Sequence, residues 1–185
     1  MKILDNIKYH YDKRKYTQIT RQVAEDHTES NSGYIVAYSK DFIILQEVND
    51  FRMLGYLVLP VAQIAEVRYN KADKYFDKIM VWEKEADKVS LPYDIDLSNW
   101  NTIFQSIKGY QQTVIVECED PSIGAFIIGP IVRITKKKVH ISYFDAQGYI
   151  DEDPIRVKYT DISIVKFDDR YANVFGKYTR HKKKK

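Results

Sequence analysis

Hydrophobic and polar residues alternate along most of the chain in short runs, a pattern that predicts β-strands rather than long helices. Two short segments instead carry apolar residues at helical spacing, and each predicts an amphipathic helix with a buried stripe. The residues of the two stripes are Leu4, Ile7 and Tyr11, followed by Trp100, Ile103 and Ile107. For the second helix we expect Ser98 as the N-cap and Gly109 as the end.

The two halves repeat one pattern at a nearly constant distance along the chain. The helical stripes lie 96 positions apart (100 − 4 = 96), and the same offset relates Gly33 to Gly129 and Lys40 to Lys136. The matched strand segments are 43–48 with 139–144 and 57–69 with 156–167, and within the second pair residues 64–67 match 162–165 at an offset of 98. We therefore predict an internal duplication, each copy being a helix followed by about five strands. The alternative is that two unrelated β-meanders share alternation and glycine turns.

The repeat also predicts the domain boundaries. The first unit is expected at residues 1–80 and the second at 97–178. Residues 81–96 are polar with one proline and are predicted to be a linker, and residues 179–185 form a basic tail.

A short helix, five strands with a glycine in the second strand, and the ending LVLPVAQIAEV at 57–67 together resemble the Sm-like small β-barrel family. The resemblance implies a mainly β fold of two tandem small barrels, each with a short N-terminal helix and about five antiparallel strands. In that family a uridine pocket is built by an Asp-to-Asn stretch after the second strand and an Arg-Gly pair before the fifth. Only Asp41 matches this pattern, because positions 62–63 are Ala-Gln and positions 160–161 are Thr-Asp. The resemblance therefore predicts the fold and does not extend to uridine binding.

Charge is distributed unevenly between the body of the chain and its end. The formal net charge is +3, and residues 177–185 hold five Lys and one Arg, so the other 176 residues sum to −3 (3 − 6 = −3). A body with this balance can bind phosphates only through a local patch.

The sequence offers little that points to catalysis. The single cysteine, Cys118, cannot form an internal disulfide and lies in a strand-like segment, where we expect a half-buried structural residue. His27 among neighbouring acids, the acidic segment 151–153 and the pair 168–169 are interpreted as solvated turns. There is no glycine-rich phosphate loop, no serine nucleophile elbow and no HExxH motif. We predict a non-enzyme with no catalytic residues, no metal and no cofactor.

Binding is the remaining class of function. The candidate binding residues lie in the two matched turns and are Lys40, Asp41, Lys136, Lys137 and Lys138. We predict a non-enzymatic interaction module that binds a protein partner or associates with itself through open sheet edges. The alternative is an RNA- or DNA-binding protein that uses the turn 136–138, the basic tail and stacking tyrosines. No apolar run approaches the length of a membrane span and no signal peptide precedes the first helix, so we expect no membrane partner and a cytoplasmic location.

Overall fold

A computed structural model describes residues 2–181. This part of the chain forms four α-helices and ten β-strands. The helices are α1 (Ile3–Lys13), α2 (Lys71–Trp82), α3 (Trp100–Gly109) and α4 (Arg170–Gly176). The strands are β1 (Tyr16–Ala24), β2 (His27–Tyr38), β3 (Phe42–Asn49), β4 (Arg52–Pro60), β5 (Ile64–Arg68), β6 (Thr113–Cys118), β7 (Ala125–Ile134), β8 (Lys138–Ile141), β9 (Ile155–Lys158) and β10 (Ile164–Phe167).

The ten strands form one sheet in the order β5-β1-β2-β3-β4-β10-β6-β7-β8-β9, and the paired neighbours are antiparallel. The prediction of a mainly β protein is therefore confirmed. The sheet is open, so the structure does not contain two separately closed barrels. The reason is that β4 of the first half pairs with β10 of the second, which joins both halves edge to edge.

Both halves use the same strand order, and the pairs among their second, third and fourth strands have the same register. In each half the fifth strand pairs with the first, and the second, third and fourth strands follow in turn. In the first half Ile44 lies opposite Val58, and in the second half His140 lies opposite Arg156. His140 is 96 positions after Ile44, and Arg156 is 98 positions after Val58. A short 3₁₀ turn precedes the fifth strand of each half. The two turns begin at Val61 and Tyr159, which are 98 positions apart (159 − 61 = 98). The strand order, these strand pairs and the 3₁₀ turns thus correspond between the two halves.

The two matched glycines lie at equivalent close approaches between strands. A Cβ atom at Gly33 would collide with the carbonyl oxygen of Gln46, and one at Gly129 would collide with the carbonyl oxygen of Ser142. Gln46 and Ser142 are themselves 96 positions apart (142 − 46 = 96). Only glycine fits where two backbones approach this closely.

The stripe predicted for the second helix is confirmed, whereas that of the first is partly wrong. Trp100, Ile103 and Ile107 are buried, and Asn99 rather than Ser98 is the N-cap, accepting a hydrogen bond from the backbone N–H of Thr102. In the first helix Ile7 is fully buried.

Leu4 and Tyr11 are 40% and 41% exposed. The buried face of α1 continues to His10 instead, because the His10 ring lies edge-on to Tyr69, with ring centroids 5.1 Å apart, and its Nδ1 lies 3.2 Å from the carbonyl oxygen of Lys15. The imidazole of His10 is therefore buried with a hydrogen-bonding partner, at a position that the pattern of apolar residues does not predict.

Helices α2 and α4 follow the fifth strand of each half and were absent from the sequence prediction. Both begin at a side-chain cap: Asn70 accepts from two backbone N–H groups of α2, and Asp169 accepts from the backbone of Ala172 in α4. The expected first boundary at residue 80 lies inside α2, and apolar residues of the linker pack against the core of the second half.

The paired strands β4 and β10 form the joint between the halves, and this joint is buried on both faces of the sheet. On one face Ile164 packs in the core of the first half with Leu57, and on the other Val165 packs in the core of the second half with Val58. The first half presents Phe42 to this second core, with its ring centroid 4.8 Å from that of Trp100. The halves therefore share their hydrophobic contacts.

A buried ion pair also crosses from the first half to the second. Arg21 in β1 is fully buried, and its guanidinium donates to the two carboxylate oxygens of Glu119 at 2.6 and 2.8 Å. It also donates to Asn31 Oδ1 at 2.9 Å and to the carbonyl oxygen of Ser163 at 3.4 Å. Such a bidentate pair has a defined geometry and therefore fixes the position of β1 relative to the residue that follows β6.

Candidate functional site

The turn that carries Lys40 and Asp41 connects β2 to β3. The Lys40 side chain is 85% exposed, and its Nζ lies 3.7 Å from Asp41 Oδ2. The backbone carbonyl of Asp41 accepts from the N–H of Val61, which fixes this turn beside the 3₁₀ turn that precedes β5. The contacts of Lys40 and Asp41 therefore hold the turn together and leave the lysine in solvent.

The turn that carries Lys136, Lys137 and Lys138 is the counterpart in the second half. Lys136 and Lys137 are exposed, whereas Lys138 is half-buried and begins β8. The carbonyl of Lys137 accepts from the N–H of Tyr159, which repeats the contact between Asp41 and the first 3₁₀ turn.

The hydrogen bonds and ion pairs of residues 2–181 do not connect the two turns, so the candidate residues form two separate groups. Lys182 to Lys185 of the predicted basic tail lie outside the described residues.

A cationic face, defined here as Arg133, Lys138, His140, Arg156 and Lys158, covers strands β7, β8 and β9 of the second half. Arg133 lies directly opposite His140, which lies opposite Arg156, and Lys138 lies opposite Lys158. Their side chains are exposed or half-buried. The sequence analysis selected Lys138 as a candidate binding residue and missed the other four.

Every member of the cationic face except Lys158 lines a groove of about 490 Å³, together with Thr135 and Pro154. Partial burial lowers the pKa of the His140 imidazole, and the positive charges of Arg133, Arg156 and Lys138 lower this pKa further. Among the ion pairs of the described residues, none involves a member of the cationic face. The groove is therefore positively charged, and its basic side chains form no ion pair within residues 2–181.

A comparison of the two copies could have found this face from the sequence. The positions in the first half that match Arg133, His140 and Arg156 hold Ala37, Ile44 and Val58. The signal lies in the difference between the two halves, whereas the duplication was predicted from their similarity.

Two sheet edges are open within the described part of the chain. Strand β5 pairs only with β1, and β9 pairs only with β8, whereas β10, the counterpart of β5, is paired on both sides. The exposed residues of β5 are Ala65 and Glu66. The open edge of β5 therefore offers backbone hydrogen-bonding groups to another strand.

The remaining candidate groups have structural contacts. Cys118 is buried. Burial and, to a smaller extent, nearby negative charges raise the pKa of its thiol to about 11, so the thiol is protonated at neutral pH. His27 Nε2 lies 3.0 Å from Glu29 Oε1, and Asp168 accepts from the hydroxyl of Tyr93 at 2.8 Å.

Within residues 2–181, no group of three or more His, Cys, Asp or Glu side chains is arranged to hold a metal ion. In the same part of the chain no helix has the length and apolarity needed to cross a bilayer.

Comparison with known proteins found no matching family model, no matching curated protein and no matching solved structure.

Proposed function

We propose that this protein is a non-enzymatic interaction module of two Sm-like units that arose by internal duplication and share one sheet. In this proposal the open edge of β5 binds an extended strand of a protein partner in the cytoplasm. The observation that carries it is the contrast between the two fifth strands, because β10 has a neighbour on each side and β5 has one.

The internal joint indicates what kind of strand an edge of this type accepts. Strand β4 binds β10 as an antiparallel, largely apolar strand, with Tyr56 opposite Phe167 and Val58 opposite Val165. Main-chain hydrogen bonds supply affinity in this mode of recognition, and alternate side chains supply specificity. We therefore expect the partner segment to be extended and to carry apolar residues at every second position.

A second copy of the chain is a poorer occupant than another protein. A second copy that docked through its other open edge, β9, would bring the cationic face beside that edge. In the internal joint the corresponding face of the first half holds Phe42, Ile44 and Val58 and is covered by the core that contains α3. Covering arginine and lysine in the same way would remove unpaired charges from water, which is costly.

A labelled peptide with the sequence of β4, RMLGYLVLP (residues 52–60), tests the open edge directly. We expect the full-length protein to raise the fluorescence anisotropy of this peptide, and a scrambled peptide of the same composition to give no change. Light scattering over the same concentration range measures the mass, and we expect a monomer in the absence of peptide.

Proline at position 66 or 67 provides the matched controls. The register of β5 against β1 is regular from residue 66 to residue 68, so successive N–H groups there point alternately to β1 and to solvent, and one of the two variants loses only an outward donor. The variant that retains thermal stability should lose peptide binding. If both variants bind the peptide as the unchanged protein does, the edge of β5 is not the binding surface.

Nucleic-acid binding, the alternative, has weaker support. The groove at the cationic face has no tyrosine in its lining to stack a base, and the chain outside residues 177–185 sums to −3. The proposed absence of catalysis is supported by the buried, protonated Cys118 thiol and by the structural contacts of His27 and Asp168.

A further inference from the structure

The cationic face of the second half is an unusual arrangement for a solvent-facing sheet surface. Like charges directly opposite each other on neighbouring strands destabilise a sheet. Here Lys138 lies opposite Lys158, and Arg133, His140 and Arg156 form a row across three strands. No described acidic side chain forms an ion pair with any of them.

The fold itself does not require these charges. The first half has the same pairs in the same register, with Ala37 opposite Ile44, Ile44 opposite Val58, and Phe42 opposite Pro60. All five of these matched positions are apolar, and Phe42, Ile44 and Val58 are buried against the core of the second half. The second half therefore carries five basic residues where an identical strand arrangement is satisfied by apolar ones.

The dimensions of the face restrict the ligand. Neighbouring strands are about 4.8 Å apart, so the row from Arg133 to Arg156 spans about 10 Å, and the pair Lys138–Lys158 lies two residues, about 6.6 Å, along the strands. The charge is thus concentrated in a small groove of about 490 Å³. Beyond it, the acidic segment 151–153 is exposed and would repel a long polyanion that continued in that direction.

We propose that this groove is a binding site for a compact, multiply charged phosphate group, namely a di- or triphosphate. The guanidinium groups of Arg133 and Arg156 match the geometry of phosphate oxygens, and Lys138 and Lys158 add point charges at the side. The phosphate chain takes the place of the acidic partner that the protein does not supply. The groove lining contains no tyrosine, phenylalanine or tryptophan, which places recognition on the phosphates rather than on a base.

Isothermal titration of the full-length protein with inorganic triphosphate tests the site. We expect saturable binding, a weaker response to pyrophosphate, and little response to sulfate at the same ionic strength. Comparison with a nucleoside triphosphate distinguishes the two sources of this group: equal affinity indicates the phosphate chain alone, and tighter binding indicates a nucleotide. Arg133→Gln and Arg156→Gln should each weaken triphosphate binding at least tenfold, whereas Lys40→Gln, at the matched turn of the first half, should have no effect.

A second measurement separates a binding role from a structural one. Because the row of like charges is unfavourable without ligand, Arg156→Gln should raise the melting temperature of the unliganded protein. Triphosphate should raise the melting temperature of the unchanged protein and leave that of the variant almost constant. Equal binding of sulfate and triphosphate, equal losses in Lys40→Gln and Arg156→Gln, or tighter binding of mixed single-stranded RNA than of triphosphate would each overturn the proposal.

Discussion

The buried pair between Arg21 and Glu119 yields a quantitative prediction about how the halves are held together. The Arg21 side chain is fully buried and that of Glu119 is 16% exposed. Removal of one partner from a buried pair usually costs about 3–5 kcal/mol, because the other charge is left without compensation. We expect Arg21→Met to lie near the lower end, since water can still reach the Glu119 carboxylate. We expect Glu119→Ala to lie near the upper end, since the Arg21 guanidinium has no access to water.

Urea unfolding followed by circular dichroism measures these losses. The double variant Arg21→Met, Glu119→Ala should lose less free energy of unfolding than the sum of the two single variants, because it leaves no uncompensated charge. The exposed pair Lys8–Asp12 has a comparable Nζ–Oδ2 distance of 2.7 Å and serves as the control, with no measurable loss expected in Lys8→Met. The reasoning is refuted if Arg21→Met is no more destabilising than Lys8→Met, or if the two single losses simply add.

Three further predictions concern the core, the backbone and pH. Trp100→Ala should lower the free energy of unfolding by about 3–5 kcal/mol, because its ring packs against Phe42 in the shared core; a urea titration that gives well under 1 kcal/mol would contradict this packing. Gly129→Ala should lower the melting temperature strongly, and Gly109→Ala, which has open space around it, should not; equal effects in calorimetry would refute the close approach. Burial lowers the pKa of His10 below its ordinary value of 6.5, so its stabilising contribution is complete above pH 6.5 and is lost as the pH falls below that value. His10→Gln should therefore have a shallower loss of unfolding free energy between pH 7.5 and 5.5, by about 1.4 kcal/mol for each unit of pKa shift, and an unchanged pH profile would count against a buried neutral imidazole.

The sequence predicted the parts of the fold that depend on local pattern. The stripe of α3 follows from apolar spacing and the matched positions of the two glycines follow from the repeat, and the structure has that stripe buried and both glycines at equivalent places between strands. Helix α2 was also within reach, because Asn70 and Asp73 form a capping box and Met80 lies at helical spacing from Phe76. The exposure of Leu4 could not be predicted, since it depends on which side of α1 meets β2 and β5.

The arrangement of the halves is a tertiary property that no local pattern contains. Whether β4 pairs with β5 or with β10 is decided by edges that are distant in the chain. The cationic face depends on the same arrangement, because His140 and Arg156 become neighbours only when β8 and β9 pair. Lys138 was selected as part of a lysine-rich turn, and its actual neighbours across the sheet became visible only in the structure.

The pairing of β4 with β10 also determines when the two halves can fold while the chain is being synthesised. Val58 and Val165 are opposite each other across this joint and lie 107 positions apart (165 − 58 = 107). A ribosome that has released only the first half exposes the edge of β4 and the apolar side chains of Phe42 and Ile44 until α3 and β10 emerge. Unpaired edges and exposed apolar surface make such intermediates prone to aggregation. The two halves, although alike, are therefore expected to fold together at the end of synthesis rather than one after the other.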